Sequence, residues 1–536
     1  MDLKQEVQAW IADDPDPKTA AQLQQWLDSN NEVELRASFS GFLQFGTAGL
    51  RGPIRPGPSG MNRAVVGRTA AGIAAYMKER NLTSVVIGRD ARYGSEDFTF
   101  ETAQIMSGAG MKVYVLPRPL PTPVLAFATN ELKCDVGIMV TASHNPPQDN
   151  GYKVYLGGTV DGIHYRGSQI VSPTDESIAQ KIDLITSLTS QPRGKEWTVL
   201  GEEVVDKYVG ITAALANKPG NLKIVYTAMH GVGTETLQQV FHKAGFPQPI
   251  LVESQAKPDP DFPTVAFPNP EEPGAIDLAL ETAQTFDADL VIANDPDADR
   301  CAAAVKDPVK GWRMLRGDEL GVILGETIAR ATTQGILANS IVSSSILSKI
   351  AAHYKLDFKE TLTGFKWLAK IDGLTFGYEE ALGYAVDAVT VNDKDGISAA
   401  IKLAQIATDL AAQNKTLLDL LDEVWVRHGF HATEQISIRL SDLSQVGVIM
   451  GNLRSNSPKE IAGRSVTSID DLAKPKDGLP PTDGLRIWLD GGIRIIIRPS
   501  GTEAKMKCYI EAIAKDSATA QTVLDQLRAP LKELLS

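Results

Sequence analysis

The most constraining feature of this chain is a recurrence. Short apolar runs, 84-SVVIG-88, 112-KVYVL-116, 136-VGIMVT-141, 223-KIVYT-227, 290-LVIAN-294 and 340-SIVSS-344, alternate with stretches of helical character. Runs this short read as strands, and strands separated by helices pair through crossovers. The chain therefore reads as α/β domains with largely parallel or mixed sheets. In such sheets ligands gather beyond the carboxyl ends of the strands. A length of 536 residues exceeds what one hydrophobic core serves, so three or four domains are expected.

A weak internal echo accompanies the alternation. Asp135, Asp289 and Asp372 each open such a run, and eight residues later stand Ser143, Asp297 and Glu380. Three related domains, each presenting one polar loop at the same structural position, would produce it. From about residue 431 the character changes. The runs 434-EQISIRL-440, 485-LRIWL-489, 493-IRIIIR-498 and 506-MKCYIEA-512, then a helical tail over 517–535, read as an α+β domain with antiparallel strands. The Pro/Gly-rich stretch 473–484 is a loop within it. Residues 1–40 read as polar helices docked through Trp10 and Trp26.

Composition narrows the function classes. A net charge of −13 argues against a nucleic-acid binder, which needs a basic surface. A small anionic substrate stays open if Arg and Lys converge on one site. Cys134, Cys301 and Cys508 are too far apart for a zinc site and odd in number, so reduced thiols are expected. The start, MDLKQEVQAWIADDPDP, lacks a signal-peptide core, and 64-AVVGRTAAGIAAYM-77 is too short to span a bilayer and carries Arg68. A cytoplasmic protein with no membrane partner is expected.

Several loops could carry chemistry. In 294-NDPDADR-300 an extended backbone would turn Asp295, Asp297 and Asp299 to one side, and three hard oxygen donors suit Mg²⁺. An EF-hand would need Gly and Glu where Arg300 and Lys306 stand. The segment 141-TASHNPP-147 places Ser143 beside His144, but no G-x-S-x-G elbow surrounds it, and adjacent side chains of an extended segment point apart. Ser143 is thus a poor hydrolase nucleophile. As a phosphoserine it would complete a three-aspartate metal site, with Lys153 adding positive charge. In 494-RIIIRPSGTEAK-505, Arg498 and the turn Ser500-Gly501-Thr502 could cradle a phosphate, with a plain β-turn as the alternative. The loops 363-TGFKW-367 and 377-GYEEALG-383 suit sugar hydroxyls. Lys394, in 393-DKDG-396, could move protons if neighbouring cations or burial lowered its pKa, whereas close Asp393 and Asp395 would act the other way. The segments 45-FGTAGLRG-52 and 88-GRDAR-92 put Arg51 and Arg89 on glycine-bearing loops.

Taken together and in this order, the serine loop TASHNP, the metal loop DPDADR, the paired-Glu sugar loop and the phosphate loop RPSGTE resemble the signatures of the α-D-phosphohexomutase superfamily along nearly the whole chain. The resemblance implies four domains around one central cleft: 1–203 with the helical extension and phosphoserine loop, 204–315 with the metal loop, 316–430 with the sugar loop, and 431–536, a smaller α+β domain with the phosphate loop. The first three would be related α/β domains with mixed sheets. It assigns Ser143 to carry the phosphoryl group and to ligate Mg²⁺ with Asp295, Asp297 and Asp299. Arg51 and Lys394 are assigned to acid–base work, and His144, Lys153 and Arg300 to active-site contacts. Thr47 joins the substrate-binding set. Thr363, Gly364 and Glu379 match the sugar contacts, and Arg498, Ser500, Gly501 and Thr502 the site of the non-reacting phosphate. Glucose 1,6-bisphosphate, or another sugar bisphosphate, is the implied activator, a small phosphosugar the only implied partner, and monomer or dimer the implied state.

Within the superfamily, GTAGLRG, TASHNPPQDNGYKVY, TLTGFKW, GYEEALGY and NDKDGISAA look most like the phosphoglucomutase-2 and phosphopentomutase branch. Ala381 stands where many glucose- and mannose-acting members carry Ser. The expected activity is interconversion of glucose 1-phosphate and glucose 6-phosphate through a sugar bisphosphate. The alternatives are a phosphopentomutase, a phosphomannomutase, a glucose 1,6-bisphosphate synthase, a metal-dependent phosphatase or an inactive sugar-phosphate-binding protein.

Overall fold

The computed structural model describes residues 2–46, 49–442, 444–476, 478–500 and 505–535. The chain divides into two compact units: Met1–Leu315 with Ala369–Asp372 and Gly383–Asp409, and Arg316–Leu368 with Gly373–Leu382 and Leu410–Ser536.

In the first unit the N-terminal helices Leu3–Asp13, Pro17–Asp28 and Glu32–Ser38 close a small core of Val7, Leu23 and Leu35, against which Trp10 and Trp26 pack. The main sheet follows. Strand Ser84–Arg89 lies between Lys112–Val115 and Val136–Val140, parallel to both. Val136–Val140 then pairs antiparallel with Asp149–Leu156, which pairs antiparallel with Leu50–Pro53. Strand Val136–Val140 is buried at every position, as a strand covered on both faces must be. Helix Arg63–Glu79 carries the Ala-rich run; twelve of its residues are buried, so that run is core.

The second sheet repeats the plan. Ile224–Thr227 runs parallel to Ile250–Leu251 and Leu290–Ala293, and Leu290–Ala293 pairs antiparallel with Ala302–Asp307. In the other unit, Ile336–Ser340 runs parallel to Asp357–Thr361 and Leu374–Glu379. The opening Asp does the same work in two of the three sheets. Asp135 accepts from the N–H groups of Thr83 and Ser84, and Asp289 from that of Lys223, tying the first residues of adjacent parallel strands together. Asp372 departs from this and pairs with Arg166.

The run 340-SIVSS-344 is a correction. The strand is Ile336–Ser340, and the run lies in the turn after it. Ile341 and Val342 are apolar because they pack with Leu362, Leu472, Ile496 and Tyr509, not because they pair in a ladder. The C-terminal part is the expected antiparallel sheet. Phe430–Arg439, Lys505–Ala514, Ile493–Pro499 and Leu485–Leu489 pair in that order, and helix Ser517–Leu534 buries Leu524, Leu527 and Leu531 in their core. All three cysteines are buried free thiols, and burial pushes Cys134 up to about 12. Among the described residues no helix is long and apolar enough to cross a membrane.

Candidate active site

Two loops meet in the first unit, each beyond the carboxyl end of a parallel strand. After Val136–Val140 the chain turns at Ser143, whose φ of 53° lies in the left-handed region. Its N–H donates to Thr141 Oγ1, and its Oγ donates to Asp295 Oδ2 at 2.9 Å. The left-handed turn also overturns one expectation. Ser143 and His144 do not point apart: Ser143 Oγ lies 3.2 Å from His144 Nδ1, because the segment is not extended there. Burial, with Arg300 and Arg51 nearby, holds the His144 imidazole well below its ordinary pKa.

After Leu290–Ala293 comes the aspartate loop. It is a turn, not an extended segment: Ala298 sits at φ 53° and donates its N–H to Asp295 O at 2.8 Å. The turn brings together what alternation alone was expected to align. One carboxylate oxygen from each of Asp295, Asp297 and Asp299 lies within 4.8 Å of the others, and all three residues are buried. Lys153 Nζ donates to Asp297 Oδ2 at 2.7 Å and to Asp299 Oδ2 at 2.9 Å. Lys394 Nζ lies 3.1 Å from Asp299 Oδ2. Burial alone would discharge Lys153, but Asp297 and Asp299 outweigh it and raise its pKa. Burial beside the Asp297 and Asp299 charges pushes Asp295 up, against Arg300, whereas burial of Asp297 and Asp299 is outweighed by Lys153, which holds both down. Three buried carboxylates this close need cations beside them, and Lys153 and Lys394 supply two. The cluster fits Mg²⁺: Asp297 Oδ1 and Asp299 Oδ1 are buried and accept no hydrogen bond from the described residues, and hard carboxylate oxygens are what this ion takes.

The neighbours hold these groups in place. The Arg300 N–H donates to Asp295 Oδ1 at 3.0 Å. Arg51, exposed on strand Leu50–Pro53, donates to Asn145 Oδ1 at 3.1 Å. The acids flanking Lys394 are engaged elsewhere: Asp393 accepts from Tyr155 and Gln169, and Asp395 from Tyr208 and the Ile397 and Ser398 N–H groups. Asp393 still lies 3.7 Å from Lys394 Nζ. Gly383 and Gly396 make room: a Cβ on the first would sit 2.2 Å from Lys394 Cδ, and on the second 2.2 Å from Arg300 O. Thr122 was not singled out in the sequence, yet its Oγ1 donates to Asp297 Oδ2 at 2.6 Å. It lies at the start of helix Thr122–Glu131, and a Pro-Thr-Pro segment carries no signal for such a long-range contact.

In the second unit, Glu379 Oε1 accepts from the Gly364 N–H at 2.6 Å, which joins the loops 363–367 and 377–383. The paired Glu residues differ. Glu380 accepts from Ser340 and Ser343, and burial, then Glu379 and Asp318, raise it to about 7. Arg498 ends the apolar strand Ile493–Pro499, and the Ser500 N–H closes onto Lys505 O at 2.8 Å. Thr47, Gly501 and Thr502 lie outside the described residues.

The sequence matches four family models in order, described as phosphoglucomutase/phosphomannomutase alpha/beta/alpha domain I over residues 43–187, domain II over 204–311, domain III over 316–428, and the C-terminal domain over 451–529. The Haemophilus influenzae protein named "Probable phosphomannomutase" is 49% identical over 89% of this chain and 98% of that protein. The phosphopentomutase of Homo sapiens is 34% identical over 100% of this chain and 95% of its own, and the phosphoglucomutase of Staphylococcus haemolyticus 34% over 90% and 92%. In fold, the chain is similar to a phosphoglucomutase/phosphomannomutase family protein from Burkholderia thailandensis, with a TM-score of 0.71, 19% identity and coverage of 91% of this chain and 97% of the other. Four domain models matched in order, and relatives aligned over most of its length, make the chain a member of the phosphoglucomutase/phosphomannomutase family: an isomerase of the phosphosugar mutase type.

Proposed function

We propose that the chain is a Mg²⁺-dependent phosphoglucomutase in which Ser143 carries the phosphoryl group. One observation carries the reading: Ser143 Oγ reaches Asp295 Oδ2 at 2.9 Å, at the rim of a buried three-aspartate cluster with unused oxygens. Asp295, Asp297 and Asp299, with phospho-Ser143, would hold Mg²⁺, which supplies neutralisation of charge on the transferring phosphoryl group. Lys153 keeps Asp297 and Asp299 fixed and adds positive charge, while His144 and Arg300 line the serine. Arg51 and Lys394 move the protons.

In the first half-reaction the free hydroxyl of glucose 1-phosphate attacks phosphorus. The bond from phosphorus to Ser143 Oγ breaks, the serine oxygen takes up a proton, and the sugar hydroxyl gives one up. The product is glucose 1,6-bisphosphate. Return of its other phosphate to Ser143 leaves glucose 6-phosphate and restores the phosphoenzyme, so added glucose 1,6-bisphosphate acts as activator. Thr363, Gly364 and Glu379 contact the sugar, with Thr47 adding to the substrate site. Arg498, Ser500, Gly501 and Thr502 bind the phosphate that is not reacting. A bidentate arginine fork at the end of a rigid strand suits that task.

A second reading is a phosphopentomutase. Ala381 supports it, because the sugar loop lacks a hydroxyl there, as do relatives of that name aligned over nearly their whole length. Phosphorus NMR separates the readings. The protein is given Mg²⁺, a trace of glucose 1,6-bisphosphate, and α-glucose 1-phosphate, ribose 1-phosphate or mannose 1-phosphate in separate tubes. Fastest conversion of glucose 1-phosphate to glucose 6-phosphate without free phosphate is the expected result. Faster turnover of another sugar renames the substrate, and inorganic phosphate released at turnover rates would make the protein a phosphatase.

A further inference from the structure

The Ser143 turn is held in an unfavourable backbone region, and one side chain binds the carbonyls along it. Arg92 follows strand Ser84–Arg89 and is buried. Its guanidinium donates to four carbonyl oxygens of the serine loop. One terminal nitrogen reaches Ser143 O at 2.7 Å and Asn145 O at 2.6 Å; the other reaches Pro146 O at 2.9 Å and Asp149 O at 3.2 Å. Asp90 lies 3.4 Å from the Arg92 Nε and accepts the Arg92 N–H and the Ser95 hydroxyl, so the arginine is itself oriented. The ring of Phe262 covers the guanidinium carbon at 4.8 Å.

This is more than packing requires. A left-handed serine costs free energy and persists only where its surroundings impose it. Four carbonyls spread over seven residues cannot be gathered by a compact ammonium, but a planar fork with five donors can do so. We propose that Arg92 is a positioning residue for phosphoryl transfer. Through the carbonyls of Ser143, Asn145, Pro146 and Asp149 it holds the serine oxygen in line with the aspartate cluster. Phe262, from the loop preceding helix Asp277–Phe286, shields that clamp from water. The inference rests on the reading of Ser143 as the phosphoryl carrier.

The test uses the full chain charged with ³²P from labelled glucose 1,6-bisphosphate, and follows single-turnover transfer of label to glucose 1-phosphate. Arg92→Lys keeps the charge and loses the fork. Its transfer rate constant is expected to fall about tenfold or more, with the half-saturating concentration of glucose 1-phosphate within about twofold of wild type. Phe262→Leu leaves the four bonds and removes the ring. It gives a folded comparison should Arg92→Lys unfold, with an expected fall of about threefold or more in the same rate constant. A folded Arg92→Lys within about threefold of wild type overturns the proposal. So does an unchanged Phe262→Leu, or a loss confined to the half-saturating concentration. Failure of the wild type to take label on Ser143 would sink the mutase reading of that serine instead.

Discussion

At the scale of single residues, the placement of Lys394 depends on a glycine. Gly383 closes the loop 377-GYEEALG-383, and the Lys394 side chain crosses where its Cβ would be. Gly383→Ala should push that side chain aside, loosen its pairing with Asp299, and lower kcat by about tenfold while sugar-phosphate binding persists; steady-state kinetics beside a direct binding measurement would show the split. Lys394→Ala should go further, losing about 10²- to 10⁴-fold in turnover with binding retained, and near-normal turnover would remove Lys394 from the mechanism. The meeting of Ser143, the three Asp residues and Lys394 at one place was legible in the sequence, because polar loops that follow apolar runs gather beyond the ends of parallel strands. Thr122 was not, since a hydroxyl partner 175 residues away in sequence leaves no local trace. The contact between Ser143 and His144 was misjudged for a local reason: a positive φ at a non-glycine residue cannot be read from composition.

At the scale of elements, the alternation of apolar runs and helices gave five of the parallel strands almost to the residue, and missed Ile250–Leu251 and Asp357–Thr361, which are short or half-exposed. Burial on both faces forces continuous apolar runs, and these are visible in a sequence. The run at 340–344 failed because a turn that packs into a core is as apolar as a strand. The echo among Asp135, Asp289 and Asp372 has a physical cause in the first two, whose carboxylates bridge the starts of neighbouring parallel strands. Asp135 takes two backbone N–H groups and the Ser84 hydroxyl on one oxygen. Hydrogen bonds to a charged group are among the stronger ones, so Asp135→Ala should cost about 2 kcal/mol of stability in the first unit, read as a lower denaturant midpoint. Asp372→Ala should cost less, because Asp372 is itself exposed and pairs with Arg166 at the surface. Equal losses at the two positions would break this account of the echo.

At the scale of the whole molecule, an acidic chain must still keep buried charges paired, and Glu511 is where pH should reveal it. It sits on strand Lys505–Ala514 of the C-terminal sheet and accepts from the Ser344 hydroxyl and the Ser345 N–H, which follow a strand of the preceding α/β domain. Arg494 lies 3.0 Å from its other oxygen, and His431 Nδ1 2.9 Å from the first. Burial would raise its pKa, but Arg494, His431 and Ser344 overcome that and lower it from 4.5 to about 2. The sign follows from linkage. A carboxylate whose folded pKa is depressed stabilises the fold at pH values above 4.5, and that stabilisation is lost as pH falls from 4.5 to about 2. The shift corresponds to about 3 kcal/mol, to order of magnitude. Thermal unfolding of the second unit should therefore move to lower temperature through that window. Glu511→Gln cannot titrate, so it should start less stable at neutral pH, because buried Arg494 loses one of its two anions and keeps only the less buried Glu360, and should lose less on acidification. Parallel curves for wild type and variant below pH 4.5 would show that Glu511 is not the group whose protonation loosens this part of the molecule.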